Sequence, residues 1–343
     1  MLTQPNEEFQ TSLRKRIIHI FKFFTFHQST PLSEVSSFME EAFFSCGTKP
    51  LPLLSTVGIR NVNEVRMPDP TFTEFLKQLP VLPDDVVTEA RPMITTLQSR
   101  QLIKPITFVD VLRELKSRPL TEMEMIACLT WWCSLHKQGA NQRLLSVRAE
   151  LLNAAVLTVG EPGTKDERII PLHTIKTFIN IRGPPGALIP LQGPLPDDLI
   201  PPSISKQFNP DQLTVSLPWT ELLIYDWLQH ICSPRVCSSN PAYDINVSAT
   251  WAELILNVLV RAWPSLSNDS RESIQTLLKS RTCIPTSGGM KTPQEAYFAQ
   301  ANIFHDLPVV TPPSGAHIKA PMERVLQSLG VRRHVELQLV FDR

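Results

Sequence analysis

The sequence predicts a helix-rich α+β protein built of several modules, and three observations carry that prediction. Apolar residues recur at helical spacing in most long stretches, period-two alternation is confined to short runs, and 31 prolines punctuate the chain. That proline content is roughly twice the usual ~5%. Leucine, isoleucine and valine lie between the prolines, so these residues end helices and stiffen loops rather than mark disorder. At 343 residues the chain is long enough to bury substantial cores.

The first module spans 1–78. Phe9, Leu13, Ile17, Phe21 and Phe24 share one face of a helix over 8–26, and a second helix runs from Pro31 to Gly47. Arg14, Lys15, Arg16 and Lys22 give the first the look of a membrane-binding helix or a transit peptide. Glu7 and Glu8 argue against transit, and the dense phenylalanines suit a core. Leu53, Leu54, Gly58, Ile59 and Arg60 then match Val325, Leu326, Gly330, Val331 and Arg332 at a constant offset, which suggests a repeated unit and pairs Gly58 with Gly330. A helix over 71–78 closes the module.

The second module, 79–136, reads as three helices at 85–97, 107–116 and 121–136, with Thr121 and Glu124 forming a capping box. Its short loops give the outline of a winged helix. A DNA-recognition surface should be distinctly basic, whereas Arg91, Arg100, Arg113 and Arg118 here face Asp84, Asp85, Glu89, Asp110, Glu122 and Glu124. A structural winged-helix-like module is therefore the expectation, with nucleic-acid binding as its alternative.

In the third module, 137–210, a helix leads to a strand at 155–159, a turn, a strand at 168–172 and a helix near 174–180. Seven prolines between Pro184 and Pro202 follow as an extended connector. Its Leu188, Ile189, Leu191, Leu195, Leu199 and Ile200 suggest packing along the domain surface. The fourth, 211–264, holds two apolar helices at 219–232 and 250–263. Trp219, Leu222, Leu223, Trp227 and Ile231 stripe one of them, and Trp251, Leu254, Ile255, Val258 and Leu259 the other.

The fifth, 265–343, has the clearest local logic. A strand at 282–286 stops at Ser287-Gly288-Gly289, where glycine permits a tight turn. Thr292, Pro293 and Glu295 carry the N-cap, first-turn proline and returning carboxylate of a helix start. Pro321 opens another helix and Gly330 closes it as a left-handed terminator. Val335 to Leu339 alternates as a half-buried strand with nothing after it to cover Leu337, Leu339 and Phe341, so the module is expected to be truncated.

Cys283-Ile284-Pro285-Thr286, the glycine turn, Lys291, Pro293 and Tyr297 resemble a segment that recurs in sacsin-type repeats. With Asp306-Leu307-Pro308, Gly330, Arg332, Gly58 and Arg60, the likeness extends over most of the chain. It identifies the chain as a member of a fungal family of large Sacsin/Nov-domain proteins, also described as domain of unknown function 3684. That resemblance implies a chaperone-like parent protein in which an HSP90-type ATPase domain precedes this region. It makes that domain and client proteins the expected partners, and makes Gly58, Arg60, Cys283, Pro285, Thr286, Pro293, Tyr297, Gly330 and Arg332 the family-motif positions.

Few residues are spaced for chemistry. Glu253 and Asn257 superficially match the magnesium helix of HSP90-type ATPases, but Val260 stands where an aspartate is needed, and no glycine-rich aspartate turn follows. The run Gly160 to Lys165 lacks phosphate-loop spacing. Cys232 and Cys237 have zinc-like spacing without a second pair nearby. Cys128 and Cys133 point apart on a helix, and Cys283 sits in an apolar strand. The expectation is thus no enzyme, no metal and no cofactor. Balanced charge, 33 basic against 33 acidic residues, gives no pull toward nucleic acid or anionic membrane. Six scattered cysteines and the lack of a long apolar run predict a cytoplasmic protein with reduced thiols, the nucleus being the alternative.

Overall fold

A computed structural model of the chain describes residues 52–99, 101–137, 142–160, 167–184, 186–301, 304 and 306–335, together with 11, 12, 15, 16, 18 and 19. It is an α+β structure in which helices outweigh small sheets. Two compact units divide the chain, Met1–His173 and Thr174–Arg343.

The first unit carries helices α1 (Asp84–Glu89), α2 (Arg91–Ser99), α3 (Phe108–Ser117), α4 (Glu122–Lys137) and α5 (Gln142–Ala154). Its antiparallel hairpins are β1–β2 (Pro52–Ser55 with Gly58–Asn61) and β3–β4 (Val156–Val159 with Arg168–Pro171). The second unit has β5 (Thr177–Phe178) parallel to β6 (Thr220–Glu221), and the hairpin β7–β8 (Ile284–Thr286 with Gly289–Lys291). Its helices are α6 (Pro202–Ser205), α7 (Pro210–Ser216), α8 (Ile224–Ile231), α9 (Pro234–Ser239), α10 (Ala249–Ala262), α11 (Asn268–Lys279) and α12 (Ala320–Leu329).

One backbone motif occurs three times. Arg66, Thr177 and Tyr297 each pair in parallel on both sides, with Val81 and Lys104, with Leu199 and Thr220, and with Val309 and Arg332 respectively. The hydrogen bonds correspond one to one. On one side Arg66 N–H reaches Pro80 O at 2.9 Å, Thr177 N–H reaches Asp198 O at 3.1 Å and Tyr297 N–H reaches Pro308 O at 3.0 Å. The carbonyls of the same three residues accept from Leu82, Ile200 and Val310 at 3.0, 3.0 and 2.9 Å. In each copy a helix, α2, α7 or α12, precedes the third strand. The copies recur at roughly 115 residues, much longer than the 20–50-residue units of solenoids.

The hairpins that lead into the first and third copies are also alike. Ser55 Oγ donates to Gly58 O at 2.6 Å, and Thr286 Oγ1 donates to Gly289 O at 2.6 Å. Each hydroxyl also accepts the N–H two residues on, at 3.3 Å in both cases. Gly58 and Gly289 have φ of 102° and 90°, which a side chain would strain. Gly58 therefore corresponds to Gly289, not to Gly330 as the constant sequence offset predicts. The residue that corresponds to Gly330 (φ 112°) is Gln101 (φ 58°), just beyond α2. Leu102 N–H and Val331 N–H then close back to Leu97 O and Leu326 O at 2.9 and 3.0 Å.

Helix triplets precede the second and third copies. In the first unit α3, α4 and α5 lead to β3–β4, and in the second α8, α10 and α11 lead to β7–β8. Thr121 Oγ1 caps α4 by accepting from Glu124 N–H at 3.4 Å, and Ser248 Oγ caps α10 by accepting from Trp251 N–H at 3.3 Å.

The first unit buries Leu53, Val65, Leu82, Ile94, Leu97 and Ile103 together, with Ile18 from the N-terminal helical residues packed among them. Beside this core Phe72, Phe75, Phe108, Trp131, Trp132 and His136 form a chain of ring contacts. Two arginines tie it down. Arg66 forks onto Asp110 at 2.9 and 3.0 Å, and Arg118 bridges Glu114 and Glu124. Glu114 also accepts the backbone N–H groups of Lys77 and Gln78 at 3.0 and 2.9 Å, which stitches the 66–78 turns to α3. Burial alone would raise the pKa values of Asp110 and Glu124; hydrogen bonds from Arg66 and Thr107, and from Arg118 and Thr121, outweigh it and hold both below the usual carboxylate value. The second unit has one large core in which Trp227, Trp251, Ile255, Leu259, Leu278, Ile284 and Leu326 meet. Ile189 and Leu199 of the proline-rich connector enter this core, deeper than the surface packing expected of them, whereas Leu191 is exposed.

Several expected elements differ. The helix expected over 85–97 breaks at Ala90, where Pro92 cannot continue the hydrogen-bond ladder of α1 but suits the first turn of α2. Residues 71–78 form turns, not a helix. The helices expected near 174–180 and from 219 fail for one reason: Thr177–Phe178 and Thr220–Glu221 pair with each other, so α8 starts only at Ile224. Thr292 and Glu295 do make their side-chain contacts, 3.1 Å to N–H and 2.8 Å to Oγ1, but close one turn only, because Tyr297 and Phe298 are drawn into strand pairing. The helix over 31–47, most of that over 8–26, and the strand over 335–339 with the truncation it implies lie outside the described residues.

Gly330→Val should lower the stability of the second unit by ~1–2 kcal/mol, since a β-branched residue is strained at positive φ. A denaturant midpoint equal to the parent's would contradict the left-handed assignment.

Candidate functional site

The second unit contains an open groove of 270 Å³ between one face of α10, the 311–319 loop and the start of α12. Glu253, Leu256, Asn257 and Val260 recur at i, i+3, i+4 and i+7, so α10 presents one stripe to it. Pro285, Val310, Met322 and Leu326 complete an apolar floor, and His317 and Lys319 line the mouth. The loop forms because Pro312 and Pro313 stop regular pairing and Gly315 takes φ of 68°, with Gly315 N–H returning to Pro312 O at 2.9 Å.

Glu253 fixes that loop. Its carboxylate accepts Ser314 N–H at 3.0 Å and a short hydrogen bond from Ser314 Oγ. Thr311 N–H anchors the loop's near end on Pro285 O at 3.0 Å, and Ile318 packs on the core beyond. The groove's single carboxylate is thereby committed to its own wall. Asn257, His317 and Lys319 make no side-chain hydrogen bond or ion pair among the described residues. A concave apolar floor with a few unengaged polar groups at its mouth is the usual form of a binding site. A second hollow of 220 Å³, in the first unit, is lined by Phe72, Leu76, Lys77, Asp84 and Ile106.

The family-motif positions fall in two places. Cys283, Pro285, Thr286, Pro293, Tyr297, Gly330 and Arg332 converge on the third copy of the strand motif: Arg332 lies over the Tyr297 ring at 5.9 Å and donates to its hydroxyl at 3.4 Å. A Cβ on Gly330 would lie 3.9 Å from Pro293. Of these residues Pro285 alone also lines the groove. Gly58 and Arg60 sit in β1–β2 of the first unit, Arg60 exposed.

The profile of the family described as Protein of unknown function (DUF3684) matches residues 2–343. The chain belongs to that family. No curated protein and no solved structure matches it.

Three buried thiols are poorly placed as nucleophiles. Burial pushes Cys128 and Cys283 up to about 12 and Cys232 to about 11, which keeps them protonated at neutral pH. Among the described residues no group of three or more His, Cys, Asp or Glu side chains could hold a metal ion, and no helix is long and apolar enough to cross a membrane. Sequence reasoning reached Glu253 and Asn257 only as a failed magnesium motif. It missed Pro312, His317, Lys319 and Met322, for which the one signal was the short Pro-Pro-Ser-Gly run after Val310.

Glu253→Ala should free the loop: amides 314–316 should exchange about tenfold faster, the worth of one charged hydrogen bond, with the global midpoint shifted by no more than ~0.5 kcal/mol. Unchanged exchange would show that packing of Ile318, not the carboxylate, holds the wall.

Proposed function

We propose that the chain is a non-catalytic protein-interaction segment, a scaffold within a larger, chaperone-like protein of the sacsin type whose HSP90-type ATPase domain lies outside these residues. The observation that carries this reading is the threefold strand motif with its intervening helix triplets. Chains built by tandem repetition gain surface with each copy and use it for partners. The apolar groove with unengaged polar groups at its mouth supports binding. The partners on this reading are the ATPase domain and client proteins, in the cytoplasm or the nucleus.

Winged-helix character has its own support. Helix α3, a bridge from Leu120 to Leu157, α4, α5 and then β3–β4 follow the helix, strand, helix, helix, wing order. That support centres on 108–171, with α8, α10, α11 and β7–β8 in similar order in the second unit. A nucleic-acid role would need α5 and the wing to be basic. Instead Glu150 offsets Arg143 and Arg148, and Glu167 adjoins Arg168.

Calorimetry of the purified chain against the ATPase domain of its parent protein should give micromolar binding, while duplex DNA should bind no more tightly at 50 mM than at 200 mM salt. A steep salt-dependent DNA affinity with no protein binding would overturn the reading in favour of the nucleic-acid alternative.

A further inference from the structure

We propose that the α10–α12 groove takes one apolar side chain of an extended partner segment whose neighbouring residue is acidic. The proposal rests on the protein-interaction reading and specifies the partner's chemistry.

Size comes first. At 270 Å³ the groove lies just below the ~300–1,000 Å³ of drug-sized ligand pockets. It suits a leucine- or phenylalanine-sized anchor and is too small to enclose a nucleotide. Its open mouth leaves the rest of a chain outside, where backbone groups keep their water. The floor of Leu256, Val260, Val310, Met322 and Leu326 offers such an anchor only apolar contact.

Charge then selects the neighbour. Glu253, the one acidic lining residue, already accepts both hydrogen bonds from Ser314. Lys319, exposed at the mouth, has no acidic partner among the described residues, and His317 beside it is likewise unengaged. The nearest acidic residue along α12, Glu323, is paired with Arg333 at 2.8 Å. The mouth therefore presents, next to an apolar slot, an ammonium with no acidic partner among the described residues. A carboxylate adjoining the anchor meets Lys319, whereas a lysine there meets like charge. Asn257, on the α10 side, can hydrogen-bond the segment's backbone.

The test uses the full chain and three fluorescein-labelled peptides: Gly-Ser-Leu-Asp-Gly-Ser, its Leu-Lys counterpart and its Ser-Asp counterpart. By fluorescence anisotropy the Leu-Asp peptide should bind up to about fivefold more tightly than Leu-Lys, the upper worth of one exposed charge pair, and about tenfold more tightly than Ser-Asp, which lacks the apolar anchor. Lys319→Glu should reverse the preference between Leu-Asp and Leu-Lys. Met322→Trp, which fills the slot, should abolish binding while leaving the circular dichroism spectrum and thermal midpoint intact. Equal binding of all three peptides, or a preference that survives Lys319→Glu, overturns the proposal. So does Lys319-dependent binding of decanoate without any binding of the Leu-Asp peptide, which would make the groove a site for small amphipathic acids. Capture of the ATPase domain unaffected by Met322→Trp would remove the groove's role in that contact and leave the scaffold reading standing.

Discussion

A single strand residue paired in parallel on both sides is the constraint on which this architecture depends. Parallel neighbours cannot be joined by a tight turn; each needs a crossover. In this chain the crossover is a loop, then a helix, so every doubly paired residue gathers three distant segments. Arg66 holds 81 and 104, Thr177 holds 199 and 220, and Tyr297 holds 309 and 332. The pairing is only two or three residues wide, too little to persist in water by itself. It survives because the flanking residues are buried: Val65 and Leu82 in the first copy, Phe178 and Ile200 in the second, Ala296 and Val310 in the third.

The copies solve the same backbone problem with different side chains. In the first, the central residue is an arginine whose guanidinium crosses to Asp110, and that pair sits beside the Glu114–Arg118–Glu124 bridge. In the third, the central residue is a tyrosine and the arginine has moved to the neighbouring strand, over the ring. The second places a threonine there. Buried ion pairs contribute little net stability but are costly to break, so the first copy is the least tolerant of single substitutions. In the third, the loop before α12 is held by Glu253 and by Thr311 N–H on Pro285 O, and the groove lies beside it.

Much of the local structure was legible in the sequence. Gly330 as helix terminator, the Thr121–Glu124 cap and the tight turn at Ser287-Gly288-Gly289 all follow from local rules. What local rules could not reach was the strand motif. Thr177, Phe178, Thr220 and Glu221 sit among helix-like apolar patterns, and only partners far away in sequence make them strands. The repeat was visible but misaligned, because two unrelated glycines fell at the same offset while the true counterpart of Gly330 is Gln101. Little of the groove could be read in advance: its wall is a proline loop, and its carboxylate looked like half of an unrelated motif.

Native-state hydrogen exchange at the strand motif tests this account most directly. If the doubly paired strands organise each copy, the amides of Arg66, Met67 and Leu82, of Thr177, Ile200 and Leu222, and of Tyr297, Phe298 and Val310 should be among the slowest in the chain. They should exchange with the global unfolding free energy of their unit. Exchange of any of the three sets at the rate of surface turns would contradict the claim, and would reduce the threefold motif to a coincidence of packing around independent helices.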